Sequence, residues 1–175
     1  MLPELPADDR MSIPTERLDL VPLTGADADD LFSLLEDPML GRFTGDAPPD
    51  DVEVVRERFA VWEPRRSPDG GELWLNWVVR RRDDGRAVGH LQATVGDRET
   101  AIAWTIGSAF QRQGFATEAG RAIVAWLRDT LAVASIVGFI HPDNVASQIV
   151  ARRVGLRPTD RPRDGEIVWE LAPPS

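Results

Sequence analysis

Three consecutive strand-like runs give way to a helical period at Phe115, and that change limits the architecture more than any other feature. Leu73 to Arg80 (LWLNWVVR), Ala87 to Val95 (AVGHLQATV) and Thr100 to Ile106 (TAIAWTI) are three consecutive runs of strand-forming residues. Asp83-Asp84-Gly85 and Gly96-Asp97 separate them, and turns that short predict antiparallel neighbours. A polar, glycine-bearing bridge follows at 107–114. From Phe115 to about Leu131 the period is helical, with Ala119, Ile123, Trp126, Leu127 and Leu131 on one side. Ser135 to Ile140 (SIVGFI) is again a strand, so strand, helix and strand predict a parallel crossover. The fold class is therefore α+β: a mixed sheet with an antiparallel first half and one βαβ unit.

The flanks fit the same plan. Residues 1–15 read as a loose, proline-bearing leader in which Met11 offers an alternative start, and 16–175 as a single domain. Glu16 to Leu23 alternates polar and apolar residues as a first strand. Thr24, with Asp27 three residues on, predicts a helix start before Ala28, Leu31, Phe32, Leu34 and Leu35, and Asp37-Pro38 predicts its end. Asp50, with Glu53 at the capping-box position, predicts a second helix through Val54, Val55, Arg58, Phe59 and Trp62, stopped by Pro64. Asn144 to Val154 predicts a short helix with Gly155 as its C-cap. A Pro- and Asp-rich loop at 158–165 leads to a last strand, Glu166 to Leu171.

Composition removes several classes of function. The chain has 175 residues with no Cys and no Tyr, a length that suits one domain. Disulfides, thiolate metal sites and thiol nucleophiles are excluded. No HExxH-type spacing accompanies the two His, and no metal site is expected. All 20 basic residues are Arg, which removes Schiff-base and lysine-base chemistry. A net charge of −9 argues against nucleic-acid binding and mildly favours a cationic substrate. The acidic stretch Asp46 to Asp51 reads as a solvated loop and helix cap that would also attract cations. No apolar run is long enough to span a membrane, and the N-terminus lacks the basic and apolar regions of a signal peptide. The expected compartment is the cytoplasm.

One segment carries chemistry. Gln111-Arg112-Gln113-Gly114-Phe115-Ala116-Thr117-Glu118-Ala119 joins a strand to a helix. Small residues at 114 and 116 allow close approach of a ligand to the backbone. The first helical turn leaves N–H groups unpaired at the positive end of the dipole, a place for a pyrophosphate. Arg112 adds a cation that pairs with phosphate. On spacing alone, a structural strand-to-helix turn explains the segment equally well.

The segment resembles the acyl-coenzyme A loop of the GNAT superfamily of N-acetyltransferases, Q/R-x-x-G-x-G/A, at Gln111, Gly114 and Ala116. Its continuation through Thr117-Glu118-Ala119 is similar to the branch that acetylates ribosomal-protein N-termini. Arg17-Leu18-Asp19-Leu20-Val21-Pro22-Leu23 resembles the opening strand of that branch. Asn144, Ser147, Val150-Ala151-Arg152-Arg153 and Gly155-Leu156 resemble its second motif. The resemblance spans roughly residues 16–171.

The resemblance implies a mostly antiparallel sheet with helices on both faces. It also implies a fourth and a fifth strand, here 100–106 and 135–140, splayed around acetyl-CoA as co-substrate. Trp104, Thr105 and Ile106 would pair with the pantetheine arm, and an N–H of that stretch would stabilise the oxyanion. Amides from Arg112 through Gln113, Gly114, Phe115 and Ala116 to Thr117 would hold the pyrophosphate, and Asn144 the cofactor arm. Ser147 corresponds to the proton donor to the leaving thiolate. Homodimers are common in the superfamily.

Two positions depart from the pattern. The Glu that many relatives carry at the start of the fourth strand is Ala101, and the Tyr acid of other branches is Ala151. The bases left to consider are His141, beside the fifth strand, and His90, which shares a strand face with Gln92 and Thr94. An imidazole pKa near ~6.5 suits proton removal at neutral pH. Trp62, Trp74, Trp77 and Trp104 read first as core; Trp74 and Trp77 have opposite strand parity, which leaves one of them free to line an acceptor pocket, with Trp77 and His90 the candidate substrate contacts. A weak base favours an acceptor amine of low pKa: at pH ~7.4 roughly a fifth of α-amines are neutral, against about a thousandth of lysine side chains. The implied reaction is acetyl transfer to a primary amine by direct attack. The acceptor is a protein or peptide α-amine or, alternatively, a small amine such as an aminoglycoside, polyamine or amino acid. A non-catalytic acyl-CoA-binding member is the remaining alternative.

Overall fold

The strand and helix periods of the sequence become twelve named elements in the computed structural model, which describes residues 2–171. In chain order these are β1 (Ile13–Pro14), β2 (Leu18–Pro22), α1 (Ala28–Leu35), α2 (Val52–Trp62), β3 (Leu73–Arg81), β4 (Ala87–Val95), β5 (Thr100–Ile106), α3 (Phe115–Leu131), β6 (Ile136–Ile140), α4 (Val145–Val154), β7 (Leu156–Arg163) and β8 (Glu166–Leu171). They form one sheet ordered β1-β2-β3-β4-β5-β6-β8-β7. Every pairing is antiparallel except β5 with β6, the pair that α3 connects. The α+β class and the mixed sheet are as the sequence predicts.

Period-two alternation sends each strand's side chains to two layers. Leu73, Leu75, Trp77 and Val79 of β3 pack with Ile102 and Ile106 of β5 and with Phe115, Ala119, Ile123 and Leu127 of α3 in the larger core. Val78 joins Ala28 and Leu31 of α1 and Val55 and Phe59 of α2 in a smaller core. Helices thus lie on both sides, α3 and α4 behind the sheet and α1 and α2 in front. Gly120 allows α3 and α4 to touch, since a Cβ there would stand 2.8 Å from Val154 Cγ2.

Three local readings change. The leader is packed: Met11 is 1% exposed, and Leu2, Leu5 and Ile13 lie against the larger core. The Trp77 and Trp126 indoles donate to Met11 O at 2.8 Å and Arg10 O at 3.0 Å, so burying two indole N–H groups requires this segment in place. The cap of α2 is Asp51, whose carboxylate accepts from Val54 N at 3.0 Å, and not Asp50. Thr24 and Asp27 do form the expected box, with Thr24 N donating to the Asp27 carboxylate at 2.8 Å; the box opens a short 3-10 turn that runs into α1. The supposed loop at 158–165 is β7 and its turn. Pro158 and Pro162 flank a register shift against β8, which an edge strand tolerates because its outer N–H groups need no partner. The opposite edge, β1, also ends in a proline, Pro14.

Candidate functional site

The parallel pair β5–β6 holds together at one end only. Thr100 pairs with Ile136 and Ala101 with Val137, and Thr100 N donates to Ser135 O at 2.9 Å. Past Ala101 the strands part. Backbone groups alternate sides along a strand. Thr100 N points to β6 and Gly107 N donates to Val88 O on β4 at 3.0 Å, so the main chain of Trp104 and Ile106 faces the gap. Gln111 Nε2 donates to Ile106 O at 3.0 Å, closing the last carbonyl. The Trp104 amide and carbonyl and the Ile106 N–H then form an edge that no strand among the described residues covers. Thr105 points its main chain the other way, paired with His90.

This edge leads to the start of α3. Gly114 has φ +87° and Arg112 φ +61°, two left-handed residues that curl the loop and turn successive amides inward, as in an anion-binding nest. The first main-chain bond of the turn is Glu118 N to Gly114 O at 3.0 Å, so the N–H groups of Phe115, Ala116 and Thr117 have no intrahelical partner. Arg17 braces the loop from below. Its Nη1 donates to Gln113 O at 3.0 Å, its Nε to Glu118 at 2.7 Å, and its guanidinium lies 4.9 Å from the Phe115 ring centre. Burial raises the Glu118 pKa, but bonds from Thr15, the Arg17 amide and the Arg17 side chain outweigh it and hold this carboxyl below its ordinary range. The Arg112 side chain is exposed and makes no ion pair among the described residues.

The far wall of the gap is the end of β6 and the start of α4. Asn144 caps α4, accepting from Ser147 N at 3.1 Å, which fixes the half-buried Ser147 in the first turn. His141 accepts from Asp143 N at 3.1 Å, and its ring lies 5.6 Å from Phe43. Glu166 opens β8 beside the end of β6. Burial pushes its pKa up, against the pull of nearby His141. No sequence motif marked Glu166; only the strand pairing brings it there. The end of α1 and the segment after it bridge both walls. Asp37 bonds the Ser108 side chain just after β5, Leu34 packs on Gly107, and Phe43 reaches His141.

On the front of the sheet, Ala103 is exposed and neither α1 nor α2 covers this part of the strands. Gln92 pairs with Ala103 on one side and Asn76 on the other. Trp62, Trp74, Asn76, Gln92 and Thr94 line a pocket of about 120 Å³ beside this row. Trp77 is not there: it is 0% exposed on the opposite face, in the larger core. Trp74 is the indole that strand parity sends to the pocket. His90 is 7% exposed, with its ring 6.4 Å from Trp62, and does not line the pocket. Burial, with Arg58 nearby, lowers its pKa to about 4, so it is a poor proton acceptor at neutral pH. Asn76 was legible only as one amide in an apolar strand.

The sheet is thus split between parallel neighbours, with an open strand edge leading to a glycine-built helix start. Residues 17–157 match the acetyltransferase (GNAT) domain, and the chain belongs to the GNAT acetyltransferase family. Uncharacterized N-acetyltransferase YnaD of Bacillus subtilis is 27% identical over 89 residues, 50% of this chain and 52% of that protein; the match spans about half the length of that relative. Among solved structures, Mycobacterium smegmatis RimJ in complex with CoA-disulfide superposes with a TM-score of 0.73 at 20% identity, covering 88% of this chain and 81% of that one. A candidate ribosomal-protein-serine acetyltransferase of Vibrio cholerae gives 0.72 at 21%, covering 99% and 100%. An acetyltransferase of Agrobacterium tumefaciens gives 0.72 at 24%, covering 97% and 95%. No helix among the described residues is long and apolar enough to cross a membrane.

Proposed function

We propose that the protein transfers the acetyl group of acetyl-CoA to a primary amine by direct attack. The observation that carries this reading is the uncovered edge of β5 running from the gap to the amides around Gly114. That edge suits the amide-bearing pantetheine arm, which pairs as an added strand would, and the helix start suits the pyrophosphate. Arg112 adds charge to the phosphate site and Gln111 holds the end of β5 in register with it. The Asn144 Nδ2 group remains to bond the arm while its Oδ1 caps α4.

In the reaction the amine nitrogen attacks the thioester carbonyl carbon, and the Trp104 or Ile106 N–H stabilises the oxyanion. The C–S bond then breaks. Ser147 gives a proton to the departing thiolate, and the amine proton passes through water to His141. With Ala101 and Ala151 at the two usual acid–base positions, an acceptor that is already partly neutral is favoured. A protein or peptide α-amine, or a small amine of similar pKa, fits this demand.

The test follows thiol release with acetyl-CoA and an amine panel. α-Amines are expected to react faster than lysine side chains. Ser147→Ala is expected to lower kcat by roughly 10²-fold, within the range of acid–base catalysis, with coenzyme affinity unchanged. Tight coenzyme binding without thiol release for any amine would overturn catalysis in favour of a binding protein.

A further inference from the structure

We infer that the pocket between Trp62 and Trp74 binds a second, cationic group of the acceptor, about two strands away from the amine that is acetylated. The inference rests on reading the gap beside β5 as the thioester site. Asn76 is 8% exposed and lines this pocket. Its Nδ2 donates to Trp74 O at 3.3 Å. Its Oδ1 is buried without a hydrogen-bond partner among the described residues. A buried amide oxygen is costly to leave unpaired, and a donor brought into the pocket would relieve that cost once the Asn76 amide turns toward it.

The surroundings select the kind of donor. Trp62 and Trp74 present indole rings, which attract cations across their faces. Trp74 Nε1 donates to Glu72 at 3.0 Å, which places a carboxylate beside this indole. No basic side chain lines the pocket, and the chain carries a net charge of −9. A volume of about 120 Å³ suits one head group and not several peptide residues.

Register sets the spacing. Asn76, Gln92 and Ala103 are partners across β3, β4 and β5, so Asn76 lies two strand spacings, about 10 Å, from the edge of the gap. The acceptor is then a primary amine with an ammonium or guanidinium about 10 Å away. A linear diamine provides that, and so does a peptide whose N-terminus is followed closely by a basic side chain.

Calorimetric titration of the acetyl-CoA analogue complex tests this independently of turnover. The ligands are diaminoheptane against aminoheptane, and the tripeptide Ala-Ala-Arg against Ala-Ala-Gln. At least one cationic ligand is expected to bind tenfold or more tightly than its neutral match, with Asn76→Leu and Trp74→Leu each reducing that preference at least fivefold. Preference in the diamine alone supports a small polyamine, and in the peptide alone a basic peptide terminus. Equal binding within both pairs, or a preference that survives both substitutions, overturns the subsite. A preference without thiol release would retain the subsite and remove the proposed transfer.

Discussion

His90 shows what burial does to a single titratable group. Its pKa is lowered to about 4, by burial first and by Arg58 second, against an unfolded value near ~6.5. The unfolded chain therefore takes up a proton on acidification before the folded protein does, and stability falls as pH drops from about 6.5 toward 4. Between pH 7 and pH 5 this one group is expected to cost about 2 kcal/mol. Urea unfolding of the wild type and His90→Leu at both pH values checks it: the variant should lose less stability by that amount. Gly114 is a second residue fixed by physics. At φ +87°, and with a Cβ position 3.3 Å from Arg17 Nη2, Gly114→Val is expected to cost about 1–2 kcal/mol in strain. The same change should weaken coenzyme binding at least tenfold. Thermal melting and calorimetry read the two effects separately, and unchanged affinity in a folded variant would remove the phosphate site from this loop.

Among elements, the pairing of β4 with β5 holds the open edge in position. A Cβ on Gly89 would stand 2.0 Å from Thr105 O and 2.9 Å from Ile106 Cα. Gly89→Ala is therefore expected to force the strands apart, destabilising by about 1–3 kcal/mol and weakening coenzyme binding; denaturant midpoints and titration measure both. This part of the architecture was readable in advance. β4, β5, α3 and β8 begin and end where alternation, turns and helical period put them. The loop at 111–117 stood out by its small residues and Arg112, and its left-handed residues, Arg112 and Gly114, lie within that segment. β7 was not, since Pro158, Pro162 and acidic residues give the composition of a loop and only β8 supplies a partner. The leader was missed for a similar reason: the carbonyls of Met11 and Arg10 are held by the indoles of Trp77 and Trp126, far away in sequence. The floor of the pocket escaped notice in part, because a lone Asn carries no spacing signal.

Across the whole molecule, Arg17 joins the first long strand to the loop that opens α3. It bonds Glu118 and Gln113 from nearly a hundred residues away in sequence. Arg17→Ala removes the brace and leaves Glu118 only its bond to Thr15 Oγ1 and the Arg17 main chain. Coenzyme affinity is expected to fall several-fold with a smaller change in kcat at saturating coenzyme; saturation kinetics distinguish this from a catalytic defect. Such a tie means that neither half of the sheet presents the loop by itself.

The prolines in the two outermost strands have a different consequence. Pro14 on one rim and Pro158 and Pro162 on the other each lack the N–H that a newcomer strand would need. Fibril-like stacking and docking of two copies rim to rim by strand addition are both disfavoured.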